Sequence, residues 1–350
     1  MAYRLNDKIR DLTPYEPISG TYHIRLDANE SFMPLPDVLQ ERIQEVVKQV
    51  SYNRYPDSKA EELCARFAGY YGLNPAAVTA GNGSDELISV ICNAFLMKGE
   101  TMLTVSPDFS MYRFYASVSE CNCVVHPKNP DLTIDVDKLI ADANEHDAKM
   151  IVFSNPCNPT SLGLKKEEVR RLIRSVKALV VLDEAYMDFW DQSLLPEVEQ
   201  YDNLMILRTC SKAFGMAAIR LGFAVANPTL TNALKAVKSP YNVNSLTQAI
   251  GAAVLGERQI LESGLTEVLK SRDELYNGMK QMESEYPNKM IVYPTVTNFV
   301  LVQLENAKEI YQRLLNSGIA VRFMGDFLRI TAGTPEENRE LLLAFRQAIL

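Results

Sequence analysis

The spacing of apolar residues changes twice along this chain. Between residues 35 and 50 they fall at Leu35, Val38, Leu39, Ile43, Val46, Val47 and Val50, in steps of three and four that predict an amphipathic helix packing one face. From about residue 76 to 230 short apolar runs take over, at 102–105, 123–125, 150–153, 179–182, 205–207 and 223–226, with helical stretches between them. Several runs are apolar at both odd and even positions, as strands are when helices cover both faces of a mostly parallel sheet. Beyond Asn244 a long helical region, 246 to about 282, precedes strands near 289–292, 299–302, 319–323 and 328–331. A final helix opens with Thr334 as N-cap, Pro335 in its first turn and Glu337 three residues on, a capping box. This rhythm predicts an α/β fold, a mostly parallel central sheet flanked by helices, with a smaller α+β unit after it. The expected division is an N-terminal arm over 1–30, a large domain over 31–245 and a small domain over 246–350, joined by a helix from about 246.

Composition narrows the chemistry. The 350 residues are 47% hydrophobic and 23% charged, the balance of a soluble globular protein. Net charge is −8, and no block of five or six like charges suggests a nucleic-acid surface. No apolar run of about eighteen residues points to a membrane span, and the start from Met1 to Lys8 has no apolar signal core, so the expected location is the cytoplasm. The six cysteines are then expected as thiols, and the close pair Cys121 and Cys123 lacks clustered histidines for a metal site. His23, His126 and His146 stand in no spacing that suggests a metal pair or a relayed nucleophile. Some other group must therefore carry any proton transfer.

In a mostly parallel sheet a ligand site lies at the carboxyl ends of the strands. After Val78-Thr79 comes Gly81-Asn82-Gly83-Ser84-Asp85-Glu86, ahead of a helical pattern. Backbone N–H groups, the Ser84 hydroxyl and the helix dipole can receive an anion there, or Ser84 can simply cap the helix. The run at 150–153 leads into Asn155-Pro156-Cys157-Asn158-Pro159, where either amide can face a ligand or serve its own loop. Asp183 directly follows 179–182, so its carboxylate is partly buried and needs a partner, unless it caps the next helix. After 205–207 the segment Arg208-Thr209-Cys210-Ser211-Lys212, with Arg220 eight residues past the lysine, offers hydroxyls, an amine and a guanidinium. Thr209, Ser211 and Arg220 are natural phosphate ligands, and Lys212 is a fourth, a surface lysine or a reactive amine.

These pieces ask for an aromatic ring carrying a phosphate, a basic nitrogen and an aldehyde, which is pyridoxal 5'-phosphate. Lys212 would bond to the aldehyde, Asp183 would keep the ring nitrogen protonated, Asn158 and Tyr186 would bond the ring oxygen, and Phe109 would stack on the ring face. The phosphate would fall to Ser84, Thr209, Ser211, Arg220 and the backbone of Gly83, Ser84 and Asp85. To move protons, Lys212 needs a pKa below the usual value of about 10.4, which burial and Arg220 would provide.

An ordered set of motifs carries a family resemblance: Leu12-Thr13-Pro14-Tyr15, Leu26-Asp27-Ala28-Asn29-Glu30, Asn53-Arg54-Tyr55-Pro56-Asp57, the Gly81 to Glu86 turn, Asn158-Pro159-Thr160, Asp183-Glu184-Ala185-Tyr186, Ser211-Lys212-Ala213-Phe214-Gly215 and Leu328-Arg329-Ile330-Thr331-Ala332-Gly333-Thr334. Over nearly its whole length the chain resembles the fold-type I pyridoxal-phosphate enzymes, and among them the histidinol-phosphate aminotransferases of histidine biosynthesis. The resemblance implies ping-pong transfer of an amino group from histidinol phosphate to 2-oxoglutarate, giving imidazole acetol phosphate and glutamate. It implies a homodimer in which Tyr55 reaches the partner's cofactor, and a substrate wall of Tyr15, Asn29, Arg322 and Arg329. Arg322 and Arg329 also lie on neighbouring expected strands, where guanidiniums suit an anionic substrate, although Arg322 could be a surface arginine. The chain departs from the family pattern at Ser161 and Ala218, where glycine is common, at Phe109, where tyrosine is frequent, and at Ser31-Phe32, which lacks an expected proline. Threonine-phosphate decarboxylases and aromatic amino-acid aminotransferases share the scaffold. So do cofactor-binding effector modules of transcription regulators, but these carry a helix-turn-helix that the turn-rich residues before Asn29 do not resemble.

Overall fold

The computed structural model describes residues 3–14, 16 and 18–350; Tyr15 lies outside them. Its strands are β1 (Ile24–Leu26), β2 (Val78–Gly81), β3 (Thr101–Ser106), β4 (Asn122–Pro127), β5 (Met150–Ser154), β6 (Leu179–Asp183), β7 (Leu204–Thr209), β8 (Gly222–Ala226), β9 (Met290–Val292), β10 (Phe299–Leu304), β11 (Ile319–Met324) and β12 (Phe327–Thr331). A seven-stranded sheet runs in the order β2-β8-β7-β6-β5-β3-β4. Only β8 breaks its parallel run, pairing antiparallel with β2 and β7.

Every residue of β5, β6, β7 and β8 is buried, which is why the sequence shows runs rather than alternation there. The two parities serve two cores. Val180, Leu182, Ile206 and Phe223 join one with Phe67 and Leu172, while Val181, Met205, Leu207 and Ala224 join another with Leu87 and Ile91.

The second sheet runs β1-β11-β12-β10-β9. Its core sets Val300, Val302, Val321 and Ile330 against Leu275, Leu341 and Phe345 of two helices. Its first strand comes from far upstream: Ile24 to Leu26 pairs in parallel with Ile319 to Val321. The sequence pattern shows no strand there, because three residues are too few to establish a period. The helical region after Asn244 is two helices, Ser245–Leu255 and Arg258–Glu285. They part at Gly256 and Glu257, where the Gly256 N–H turns back onto the carbonyls of Ala252 and Ala253.

The early amphipathic pattern folds as the helix Asp37–Lys48, and the last as Pro335–Ile349. The capping box forms as expected, with Glu337 N–H donating to Thr334 Oγ1 at 3.1 Å and Thr334 N–H to Glu337 Oε2 at 2.7 Å. Thr334→Ala should lower the free energy of unfolding by about 1 kcal/mol, and Thr334→Ser should stay near wild type. Urea denaturation checks this, and equal stabilities for the Ala and Ser variants would show that the cap contributes nothing.

Candidate active site

The carboxyl ends of β3, β5, β6 and β7 open on one side of the large sheet, and polar residues collect there. Asp183 ends β6, in register with Ser154 of β5 and Leu207 of β7. It is buried. Its Oδ1 accepts the Ala185 N–H at 3.1 Å, and its Oδ2 accepts the Tyr112 hydroxyl at 2.9 Å. Burial raises its pKa to about 6; these two hydrogen bonds oppose the rise, and nearby Asp108 and Asp85 add to it.

Lys212 follows β7. Its Nζ donates to the Ala28 carbonyl at 2.8 Å and lies 5.9 Å from the centre of the Tyr186 ring. Burial first, then the charge of Arg329 and, less, of Arg220, lower its pKa to about 8, with Glu30 and Asp183 pulling the other way. The histidine-poor chain thus holds an amine that is substantially neutral only slightly above physiological pH.

At the opposite end of the cluster the helix Gly83–Phe95 begins. Gly83 adopts φ +78°, and a Cβ on Gly222 would stand 2.4 Å from the Gly83 carbonyl carbon and 2.5 Å from Ser84 N. Only glycine lets β8 press against this turn. A Cβ on Gly83 would in turn lie 3.0 Å from an Arg220 Nη, so the guanidinium overhangs the helix start. Arg220 also reaches Ser211 Oγ at 3.4 Å. Thr209 sits one step behind, its Oγ1 taking the Ser211 N–H at 3.1 Å and donating to Ser211 Oγ or the Leu221 carbonyl. Helix N–H groups, the Ser84 and Ser211 hydroxyls and Arg220 make a cradle for an anion. Sequence reading missed the clamp under it, in which Glu86 accepts from Asn82 N–H at 2.7 Å and from Asn242 Nδ2 at 3.0 Å.

Residues from the upstream arm and the small sheet close the cluster. Asn29 Nδ2 donates to the Tyr186 hydroxyl at 2.8 Å, while Thr331 of β12 holds the Asn29 backbone N–H at 3.0 Å and Oδ1 at 3.1 Å. Arg329 of β12 donates to Asn158 Oδ1 at 2.5 Å and to the Asp27 carbonyl at 2.6 Å. Arg322 is opposite Arg329 in the β11–β12 register and is half-buried.

Phe109 is half-buried after β3, with the Tyr112 ring edge-on to it at 5.6 Å and 80°. Its loop is tied to that of Asn158 by half-buried Asp108, which the sequence did not single out. Asp108 accepts from Ser154 N–H at 3.0 Å and also from the Ser154 hydroxyl, and Ser154 Oγ accepts the Asn158 N–H at 3.1 Å. Ser161, one of the departures from the family pattern, holds φ +60° and shares hydrogen bonds with Thr295 Oγ1 at 2.7 Å and Thr297 Oγ1 at 2.6 Å. Tyr55 is not brought into the cluster within one chain; it is 82% exposed and stacks on Tyr241 at 4.7 Å.

The donor set fits pyridoxal phosphate: an anion cradle in which a Cβ on Gly83 would crowd the Arg220 guanidinium, a buried carboxylate suited to a ring nitrogen, and an amine of lowered pKa. A sequence model described as aminotransferase class I and II matches residues 21–345. The chain belongs to the class I and II aminotransferases. It is 40% identical over 339 residues to the histidinol-phosphate aminotransferase of Clostridium kluyveri, covering 95% of each chain. The enzyme of the same name from Clostridium novyi is 41% identical over 339 residues, 95% of this chain and 94% of the relative. In structure it is similar to histidinol-phosphate aminotransferase from Sinorhizobium meliloti, solved in complex with pyridoxal-5'-phosphate, with a TM-score of 0.88 at 23% identity over 99% of this chain and 97% of that one. The fold of this aminotransferase is therefore the fold-type I scaffold that its motifs resemble.

The position of Lys212 generates a test on the aminotransferase without cofactor. A pKa lowered to about 8 leaves the amine nucleophilic above that pH, whereas an ordinary lysine needs about pH 10.4. Reductive methylation followed by peptide mapping should show Lys212 labelling rising through pH 8. A midpoint near 10 would contradict the site's electrostatics.

Proposed function

We propose that this aminotransferase uses pyridoxal 5'-phosphate to transfer an amino group from histidinol phosphate to 2-oxoglutarate, giving imidazole acetol phosphate and glutamate in histidine biosynthesis. We further propose that it works as a homodimer in the cytoplasm, a compartment that suits its six free cysteines. The observation that carries the chemistry is Lys212: an amine just past β7 whose pKa is lowered by burial and by the charges of Arg329 and Arg220, while Glu30 and Asp183 oppose them. The substrate reading is supported by the shared name of relatives about two-fifths identical along nearly the whole chain.

The phosphate would be held by Ser84, Ser211, Arg220 and the backbone of Gly83, Ser84 and Asp85, with Thr209 supporting Ser211. Asp183 would face the ring nitrogen, Asn158 and Tyr186 the ring oxygen, and Phe109 the ring face. When bound, the cofactor would supply an electron sink for the pair left behind when a proton leaves the substrate's Cα. Lys212 Nζ would take that proton as a neutral amine and return it as an ammonium, so the lowered pKa keeps both directions accessible. Arg329 and Arg322 would hold the substrate's anionic group, first the donor's phosphate and then an acceptor carboxylate, since ping-pong exchange uses one site twice. Asn29 and Tyr15 would complete the wall. The exposed Tyr55 ring would reach the partner's cofactor in the dimer.

Tyr186, Asn29 and Thr331 are all buried, and Asn29 bonds to each of the other two, so protein groups close this part of the site. That keeps the charge of Lys212 sensitive to Arg329 rather than screened by solvent.

Purified protein loaded with pyridoxal phosphate should show a visible absorption band and transfer nitrogen to 2-oxoglutarate faster from histidinol phosphate than from phenylalanine, tyrosine or threonine phosphate. Lys212→Ala should lose the lysine-dependent band and at least about a hundredfold in turnover. Wild-type turnover by that variant would sink the mechanism. Release of carbon dioxide from threonine phosphate, preference for an aromatic donor, or no transfer from any donor would overturn the substrate reading.

A further inference from the structure

Tyr112 belongs to none of the ligand contacts above, yet it touches two groups that would flank the cofactor ring. We propose that Tyr112 is a positioning residue that holds Asp183 as an aimed carboxylate and fixes the tilt of Phe109. The inference rests on the reading that pyridoxal phosphate occupies the site.

Tyr112 lies on the helix Met111–Val118, three residues past Phe109, and is 0% exposed. Its ring fills a core with Leu87, Ile88, Met102 and Val181. A phenylalanine would satisfy that packing, whereas a buried hydroxyl costs free energy unless it finds a partner. The partner is Asp183 Oδ2 at 2.9 Å. With the Ala185 N–H on Oδ1, the two oxygens are each held by one donor, which fixes the carboxylate plane. The ring of the same tyrosine stands edge-on to Phe109, 5.6 Å away at 80°.

The charges around Asp183 make this hydroxyl consequential. Asp108 after β3 and Asp85 on the Gly83–Phe95 helix both favour its protonated form. Lys212 after β7 is coupled to it with opposite charge, and Tyr186 after β6 is a neutral phenol whose own ionisation Asp183 disfavours. Tyr112 donates directly to the carboxylate and so favours its charged form. Without that donor, burial would drive Asp183 to protonate at higher pH, and a protonated carboxyl cannot neutralise a protonated ring nitrogen.

The test is cofactor binding to the apoprotein, followed by absorbance across pH. Tyr112→Phe keeps the ring edge and removes the donor. It should weaken pyridoxal-phosphate affinity by about tenfold or more and move the acidic limb of the affinity profile to higher pH, while the melting temperature of the apoprotein stays in place. Phe109→Leu, which leaves the Tyr112 hydroxyl intact, should weaken affinity with the limb unmoved. Unchanged affinity and limb in Tyr112→Phe would overturn the proposal. So would weaker affinity accompanied by a lower melting temperature and an unmoved limb, since Tyr112 would then be structural only. Wild-type protein that takes up no pyridoxal phosphate at any pH would overturn the cofactor reading itself, and the role of Tyr112 with it.

Discussion

A buried carboxylate and a largely desolvated amine placed at or just past the ends of adjacent parallel strands cost free energy that ordinary surface groups do not, and much of this structure is arranged around that cost. β6 and β7 are buried along their whole length, so whatever follows them begins in a medium that disfavours charge. Asp183 responds with a pKa raised to about 6 and Lys212 with one lowered to about 8. The two shifts have the same leading cause and opposite directions, because burial favours the neutral form of each. Between those values both groups are predominantly charged, and a modest change in surroundings neutralises either. Acid–base chemistry near neutrality therefore needs no histidine. Two of the histidines are engaged in other pairings: His23 with Glu340 at 2.6 Å and His126 of β4 with Asp142 at 2.6 Å.

That shared constraint also explains why two sheets must meet at the site. The charge that depresses Lys212 after burial is Arg329, which belongs to β12 of the other sheet. Arg329 is held in turn by the Asp27 carbonyl from the upstream segment and by Asn158 from the loop after β5. Ser161 adds a second tie between that loop and the small sheet through Thr295 and Thr297. A rigid-body shift of one sheet against the other would move Arg329 relative to Lys212, so the position of the small sheet and the proton affinity of the amine are coupled.

Legibility followed the range of the interactions. The strands of the large sheet were readable because burial on both faces writes continuous apolar runs. The final helix was readable because a capping box is local, spanning Thr334 to Glu337. Asp183 and Lys212 could be named because charged residues just after apolar strands are conspicuous, and Arg220 because it follows that lysine by eight residues. Tyr112, Asp108, Glu86 and Asn242 could not, since their partners lie 71, 46 and 156 positions away for the Tyr112–Asp183, Asp108–Ser154 and Glu86–Asn242 contacts, and nothing in local spacing marks them. β1 was missed for a different reason: three residues take their strand geometry from β11 rather than from their own pattern.

The distribution of charge within the site resolves an apparent conflict between a net charge of −8 and an anionic substrate. Asp108 and Asp85 each raise the pKa of Asp183. Arg220 overhangs the helix start, and Arg329 stands at the join with the small sheet. A ring nitrogen would thus sit beside the Asp183 carboxylate, and a phosphate and a substrate anion beside guanidiniums. Like charges held together raise the free energy of the empty site, and a cation introduced beside Asp183 relieves it. A protonated ring nitrogen is such a cation, and by the same coupling its own proton would be held more tightly. The acidity of the surroundings and the electron-withdrawing form of the ring are then one electrostatic arrangement seen from its two sides.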